Sequence, residues 1–422
     1  MSELTENQKL YAEREKRVMD TVALKKTDRV PLVSISELYL ATSQGLTVKE
    51  AMYDYEKYAT AWKKGLKEFN WDMSPHTYGN YPGKVMDLMG TKCFHWPGAK
   101  DESKRLTDNS CYQYIEAENL LSKEIDTFFK DPTDFTMRTL LPRLCEVFEP
   151  LKNLPLPLPI LANGYFTTLV MPEIATMFTE LGKTLAEAGD ALGDWKAQQA
   201  KLTAEITEMG YPIVDQMIMD CPFDIVGDFF RGMTGTMLDM YRQPEKLMEL
   251  VEYFEPQVTA MTIGMAQQTG TTRVFIPLHK GAKGFMNKKQ FEKFYWPQLE
   301  RYFNALIAAG LTPMPFIEGD YTPWIPYLAE LPKGKVMGHF DIMDRQKFKE
   351  SLSDVMPFWG DIPASILIGG SVDQVKDYVK ELIDFFPDGG LIIDGSAAGF
   401  PIEAKKENVM ALTETVFEYG KY

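Results

Sequence analysis

RVFIPLH (273–279) opens a rhythm that runs to the end of the chain. It is followed by TPMPFIE (312–318), KVMGH (335–339), MPFWGD (356–361) and GLIID (390–394). Each is a short apolar run closed by a polar residue: His279, Glu318, His339, Asp361 and Asp394. Between them, apolar residues recur at helical spacing over 288–309, 321–330, 344–353, 371–385 and 403–419. Ser371, followed three residues later by Gln374, has the form of a capping box. Repeated βα units of this kind imply parallel strands joined by crossover helices. No GxGxxG or GxxxxGK[ST] follows any of the runs, which favours a closed (β/α)8 TIM barrel over a doubly wound sheet. In such a barrel the active site is built at the carboxyl ends of the strands, where the five polar residues fall.

Working back toward the amino terminus, 5–25 reads as a helix, RVPLVSI (29–35) as a first strand and 54–69 as an amphipathic helix. LPLPLPILANG (154–164) reads as a Pro-punctuated edge strand, 180–210 as one or two surface helices, and IVDQMIMD (213–220) as another strand. The expected organisation is an N-terminal helical extension, 1–28, followed by an α/β barrel with insertions, 29–422.

The 422 residues include 45 Lys plus Arg against 60 Asp plus Glu, a net charge of −15. That balance argues against nucleic-acid binding, which needs a basic face. The N-terminal segment MSELTENQKLYAEREKRVMD is charged throughout, and no apolar stretch approaches the roughly 20 residues that span a bilayer. A soluble cytoplasmic protein is expected. The four cysteines, at 93, 111, 145 and 221, form no CxxC pair; buried thiols in a reducing compartment are the simplest reading.

FDIVGDFFRGMTGTMLDMYRQPEKLMELVEYF (223–254), GFMNKKQFEKFYWPQLERYF (284–303), the runs ending at Glu318 and His339, and GGLIIDGSAAGFPIEAKKENVMAL (389–412), in that order, resemble the uroporphyrinogen decarboxylase superfamily. The resemblance is good over about 215–420 and loose before it. It implies a (β/α)8 barrel and one of two chemistries, porphyrinogen decarboxylation or corrinoid-dependent methyl transfer. Decarboxylases carry arginines just after the first strand to grip a polycarboxylate, whereas SISELYLATSQGLTVKE (34–50) has none. Thiol-alkylating methyltransferases bind zinc through an HxC pair and a distant Cys; Phe316, Glu318 and Ser396 stand at the corresponding positions, so a thiolate site is not expected.

What remains is Glu318 and His339, whose spacing resembles the ether-cleaving methyltransferases of O-demethylase systems, where carboxylate and imidazole hold zinc. Ends of neighbouring strands lie about 4.8 Å apart, within reach of one shared ion at about 2.1 Å from each ligand atom. His279, Asp320, Asp394 and Ser396 are candidates for a third ligand, and a plain Glu318–His339 hydrogen bond is the alternative. His279 can equally contact substrate or close a loop. Phe316, Tyr321, Trp324, Phe340 and Trp359 suggest an aromatic-lined mouth, with Tyr321, Trp324 and Trp359 as substrate contacts alongside His279 and Ser396. His76, in SPHTYG (74–79), falls one residue short of the DxHxxG corrinoid motif because Ser74 replaces the Asp; it and His95 read as structural.

The resemblance thus implies methyl transfer from an O-methyl donor, a phenyl methyl ether above all, to cob(I)alamin (cobalamin) on a separate corrinoid protein. Zn2+ acts as Lewis acid on the leaving oxygen, and Asp320 or Asp394 orients the donor or supplies a proton. A homodimer is compatible with this reading. The alternatives are a metal-free lyase of the decarboxylase branch and a non-enzymatic binder that has lost its ligand set.

Overall fold

The computed structural model describes residues 4–78, 80–154, 170–396 and 399–422. Five parallel strands pair in sequence order: β4 (Arg273–Leu278), β5 (Thr312–Asp320), β6 (His339–Ile342), β7 (Phe358–Trp359) and β8 (Leu391–Ile392). Three shorter segments, β1 (30–35), β2 (72–74) and β3 (213–219), complete a ring through parallel bridges. Leu32 pairs with Ile393, Val33 with Met73, Ser74 with Ile213, and Ile218 with Phe275. The eight strands therefore run 1-2-3-4-5-6-7-8 and back to 1, which is the closed barrel expected from the sequence.

Alternation along the strands sends one set of side chains into the lumen. Val33, Ile35, Met73, Val214, Phe275, Met314, Phe316, Met337, Trp359 and Ile392 form one buried cluster there, and Val18 and Val22 join them from outside the ring. These two belong to α1 (Glu6–Val22), which a Thr5–Gln8 capping box starts. The helix lies against the amino-terminal end of the strands and is anchored by charge. Arg17 and Arg29 both bond the buried Asp72, at 2.7 Å each, and Asp72 also accepts from the Leu32 amide at 2.8 Å. A lone buried carboxylate is costly, and paired guanidinium groups are what make it tolerable.

The helices expected over 54–69, 371–385 and 403–419 form as Tyr55–Phe69, Val372–Phe385 and Lys406–Tyr419, and Ser371 with Gln374 makes the capping box. The 180–210 segment is one helix, Pro172–Glu208, longer than the spacing suggests. The edge strand read at 154–164 lies almost wholly outside the described residues. β6 begins at His339 rather than ending there, because the preceding KVMG runs alongside β5 with only one ladder bond, from the Met337 amide to the Pro313 carbonyl at 3.0 Å. Of the cysteines only Cys221 is buried, and Cys111 is exposed. No helix among the described residues is long and apolar enough to cross a membrane.

Met314 is fully buried in the lumen. Met314→Ala is expected to cost about 2–5 kcal/mol, the range for truncating a core Met, read from urea denaturation. A loss below about 1 kcal/mol would mean the lumen collapses around the gap instead of keeping it.

Candidate active site

β4 ends at Leu278, and the turn after it is held by two acidic residues four apart. Asp224 receives the backbone N–H of His279 at 2.9 Å and of Lys280 at 3.1 Å, and the Tyr295 hydroxyl donates to it at 2.8 Å. Asp228 lies one turn further on, within a π-helical stretch, Ile225–Arg231. It binds the side chains of the same two residues: His279 Nδ1 at 2.6 Å, and the Lys280 ammonium, which also reaches Glu116 at 2.8 Å. The turn then passes Gly281, where a Cβ would lie 2.1 Å from the Tyr321 hydroxyl. Only glycine lets the chain pass so close to that ring.

On the neighbouring strand, register shifts between Ile317 and Asp320, a bulge centred on Gly319 with φ of 79°. The Gly319 amide donates to Asp341 at 3.1 Å. Bulges re-aim side chains at strand ends, and here Glu318 Oε1 comes to 3.7 Å from His279 Nε2. Asp220 follows β3 on the other side. Asp220, Asp228 and His279 each offer a ligand atom, all within 4.8 Å of one another.

Burial sets the charge states. It raises Asp220 to about 6, reinforced by Asp224 and Asp228 and opposed by His279. Burial alone would press His279 down, but the Asp228 hydrogen bond and the charges of Asp224, Asp228 and Glu318 lift it to about 9. Glu318 is also raised, first by burial and then by the acidic neighbours, against the pull of His279. An excess of carboxylates around one imidazole is the environment a divalent cation relieves.

The donor set fits zinc or a similar ion. Two ligand atoms on a tetrahedral ion at about 2.1 Å stand about 3.4 Å apart, close to the 3.7 Å between Glu318 Oε1 and His279 Nε2. Asp228 on Nδ1 leaves Nε2 as the ligand atom, the usual support for a metal-bound histidine.

The structure does not bring His339 to Glu318. His339 pairs across the ladder with Phe316, two residues earlier on β5, so it sits about 6.6 Å lower along the barrel axis direction of the strand. It is fully buried, with its ring against Phe316 at 5.0 Å and Trp359 at 4.8 Å, and Nε2 is 3.3 Å from Asp394. Asp394 is itself buried and accepts the Ile35 amide at 3.0 Å. Asp320 binds the Thr322 amide at 2.9 Å and lies 3.7 Å from Lys283, fastening its own loop. Tyr321, Trp324 and Trp359 are core residues. Trp324 stacks on Phe291 at 4.3 Å and donates to the Gly281 carbonyl at 2.9 Å; Trp359 donates to the Val33 carbonyl at 2.9 Å. Phe316 and Phe340 are likewise buried. Ser396 donates its amide to the Ile362 carbonyl at 2.9 Å. Of the candidates for a partner to Glu318, His279 is the one the fold supplies.

His76, read from the sequence as structural, is a second buried imidazole. His76 follows β2 at 1% exposure, with Nδ1 bonded to the fully buried Asp215 and Nε2 3.3 Å from Glu37. Burial would lower it, yet Asp215 and Glu37 together raise it to about 10. An ordinary histidine titrates near 6.5, so the stability from this charge is complete below about pH 6.5 and lost as pH climbs toward 10. The denaturation midpoint of Asp215→Asn is expected to lose this pH dependence relative to the unsubstituted chain; parallel profiles from pH 6 to 10 would show His76 to be neutral throughout.

Residues 217–419 match the family model for uroporphyrinogen decarboxylase (URO-D). No curated protein matches the chain. Among solved structures, a methyltransferase from Methanosarcina mazei superposes with a TM-score of 0.58 at 15% sequence identity, over 96% of this chain and 98% of that one. The resemblance to the uroporphyrinogen decarboxylase superfamily therefore holds over 217–419, where the strands β4 to β8 and the His279–Glu318 pair lie.

Proposed function

We propose that this chain is a methyltransferase that takes a methyl group from an O-methyl donor, a phenyl methyl ether, and passes it to cob(I)alamin on a separate corrinoid protein. The observation that carries the reading is the His279–Glu318 pair at the barrel mouth, backed by Asp228 and flanked by Asp220. Hard oxygen and imidazole donors suit activation of an oxygen leaving group better than thiolates do. The methyltransferase name of the M. mazei structural neighbour and the absence of arginine from 34–50 favour this branch over decarboxylation. Zinc and the corrinoid partner are part of the proposal.

The residues divide the work. Asp224 fixes the backbone of the 279–280 turn, and Asp228 holds a proton of His279 on Nδ1, so that Nε2 is the nitrogen that would give up its proton to an incoming ion. The Gly319 bulge holds Glu318 opposite. A divalent ion held by Glu318 and His279, with Asp220 alongside, would supply Lewis acidity toward the ether oxygen. The cob(I)alamin of the acceptor would approach the methyl carbon from the side away from that oxygen and form the Co–C bond with its own electron pair, while the C–O bond breaks with its pair left on oxygen, which then takes a proton from solvent. The half-exposed Glu318 and one-third-exposed His279 place this chemistry where a macromolecular acceptor can reach it.

In a methyl-transfer assay with a cob(I)alamin protein and an aryl methyl ether, Glu318→Ala and His279→Ala are each expected to lower kcat/KM by about 100-fold or more. His95→Ala is expected to retain activity, and equal rates in all three would remove the site assignment. Asp228→Asn is expected to weaken zinc binding by about 10- to 100-fold, as loss of a histidine's supporting carboxylate does. Chelator competition measures this, and unchanged affinity would place the ion elsewhere.

A further inference from the structure

We propose that Glu37 and His76 form a second subsite, which binds a neutral hydroxyl group on an aromatic ligand, the imidazole donating to the oxygen and the carboxylate accepting from it. As a statement about the methyl donor this rests on the methyltransferase reading; as a statement about binding it does not.

The starting point is a donor held only by a loose ion pair. His76 is locked by Asp215 on Nδ1, and its buried Nε2 makes no well-formed hydrogen bond, meeting Glu37 Oε1 only as an ion pair. Buried polar atoms are nearly always paired, and one that is not is a place where a ligand or water belongs. The nearest acceptor, Glu37 Oε1, is 3.3 Å away, and the Glu37 side chain is 33% exposed while His76 is 1% exposed. Glu37 is therefore the member of the pair that solvent reaches. Its other oxygen is held by the Tyr112 hydroxyl.

Charge narrows the ligand. One imidazolium between Asp215 and Glu37 leaves an excess negative charge, so a carboxylate or phosphate is repelled. The imidazolium N–H disfavours an ammonium group. A hydroxyl is the small neutral group that accepts from an N–H and donates to a carboxylate at once.

The walls specify the rest. Tyr78 stacks on the His76 ring at 4.2 Å. Tyr112 meets Tyr81 edge-on at 4.7 Å, Tyr81 meets Phe94 at 4.9 Å, and Phe94 meets Tyr114 at 5.3 Å. Tyr81 and Tyr114 are exposed at the rim. A continuous run of packed rings thus leads from solvent to the tyrosine that holds Glu37, a surface on which an aromatic body can stack.

The test is isothermal titration of the full chain, with no corrinoid protein present, using phenol and fluorobenzene, which are similar in shape and differ in the hydroxyl. Phenol is expected to bind at least about tenfold more tightly, the worth of a hydrogen bond to a charged group. In Glu37→Gln, a substitution at a partly exposed side chain, the two probes are expected to converge to within about twofold, because the acceptor loses its charge. His76→Gln should also erase the preference, with circular dichroism checking its fold. Equal binding of the two probes by the unsubstituted chain, no binding of either, or an unchanged preference in Glu37→Gln would each overturn the subsite. Methyl transfer observed alongside any of those results would leave the methyltransferase reading standing and remove the hydroxyl subsite alone.

Discussion

Two carboxylates one helical turn apart, Asp224 and Asp228, organise the mouth of this barrel. The first grips the peptide backbone of residues 279 and 280, and the second grips their side chains. Helical spacing of four puts both acids on one face, so a single short segment positions a turn that belongs to the next strand. Remove the backbone grip and His279 has no defined position; remove the side-chain grip and its free nitrogen is no longer specified. The pairing of Glu318 with His279, and hence any ion or substrate between them, depends on this double hold.

The barrel was legible because its signal is repeated. Short apolar runs closed by polar residues recur five times after position 272, and a closed ring follows from that alternation whichever run is misjudged by a residue. The first three strands are harder to read, since each is held by isolated bridges rather than a long ladder. The site was only partly legible for a related reason. Reading each run as ending at the mouth puts Glu318 and His339 level, but the ladder pairs His339 with Phe316, and a displacement of two residues moves an imidazole from the rim into the core. Register is a property of pairing, and a single sequence carries it weakly where strands are this short.

The signal that would have found the site was present in a different form. Asp220, Asp224 and Asp228 are spaced by four in DCPFDIVGD (220–228), acids too regularly placed beside apolar residues to be a solvated surface. The aromatic residues followed the same logic in reverse. Trp359 fills the barrel axis, and Tyr321 and Trp324 pack into the larger core outside it; among the exposed rings, Tyr81, Tyr114 and Phe229 come from the insertion after β2 and the segment after β3.

The seal that α1 makes beneath the lumen has a consequence for traffic. Val18 and Val22 stop the lower end, and close-packed side chains fill the axis above them, so among the described residues that end is shut. A small donor and a large acceptor of the proposed kind would then both use the opposite end and could not come and go independently. If the proposed methyl transfer takes place here, that geometry makes the order of events sequential: loading precedes docking, and the spent molecule leaves after its visitor has stepped away.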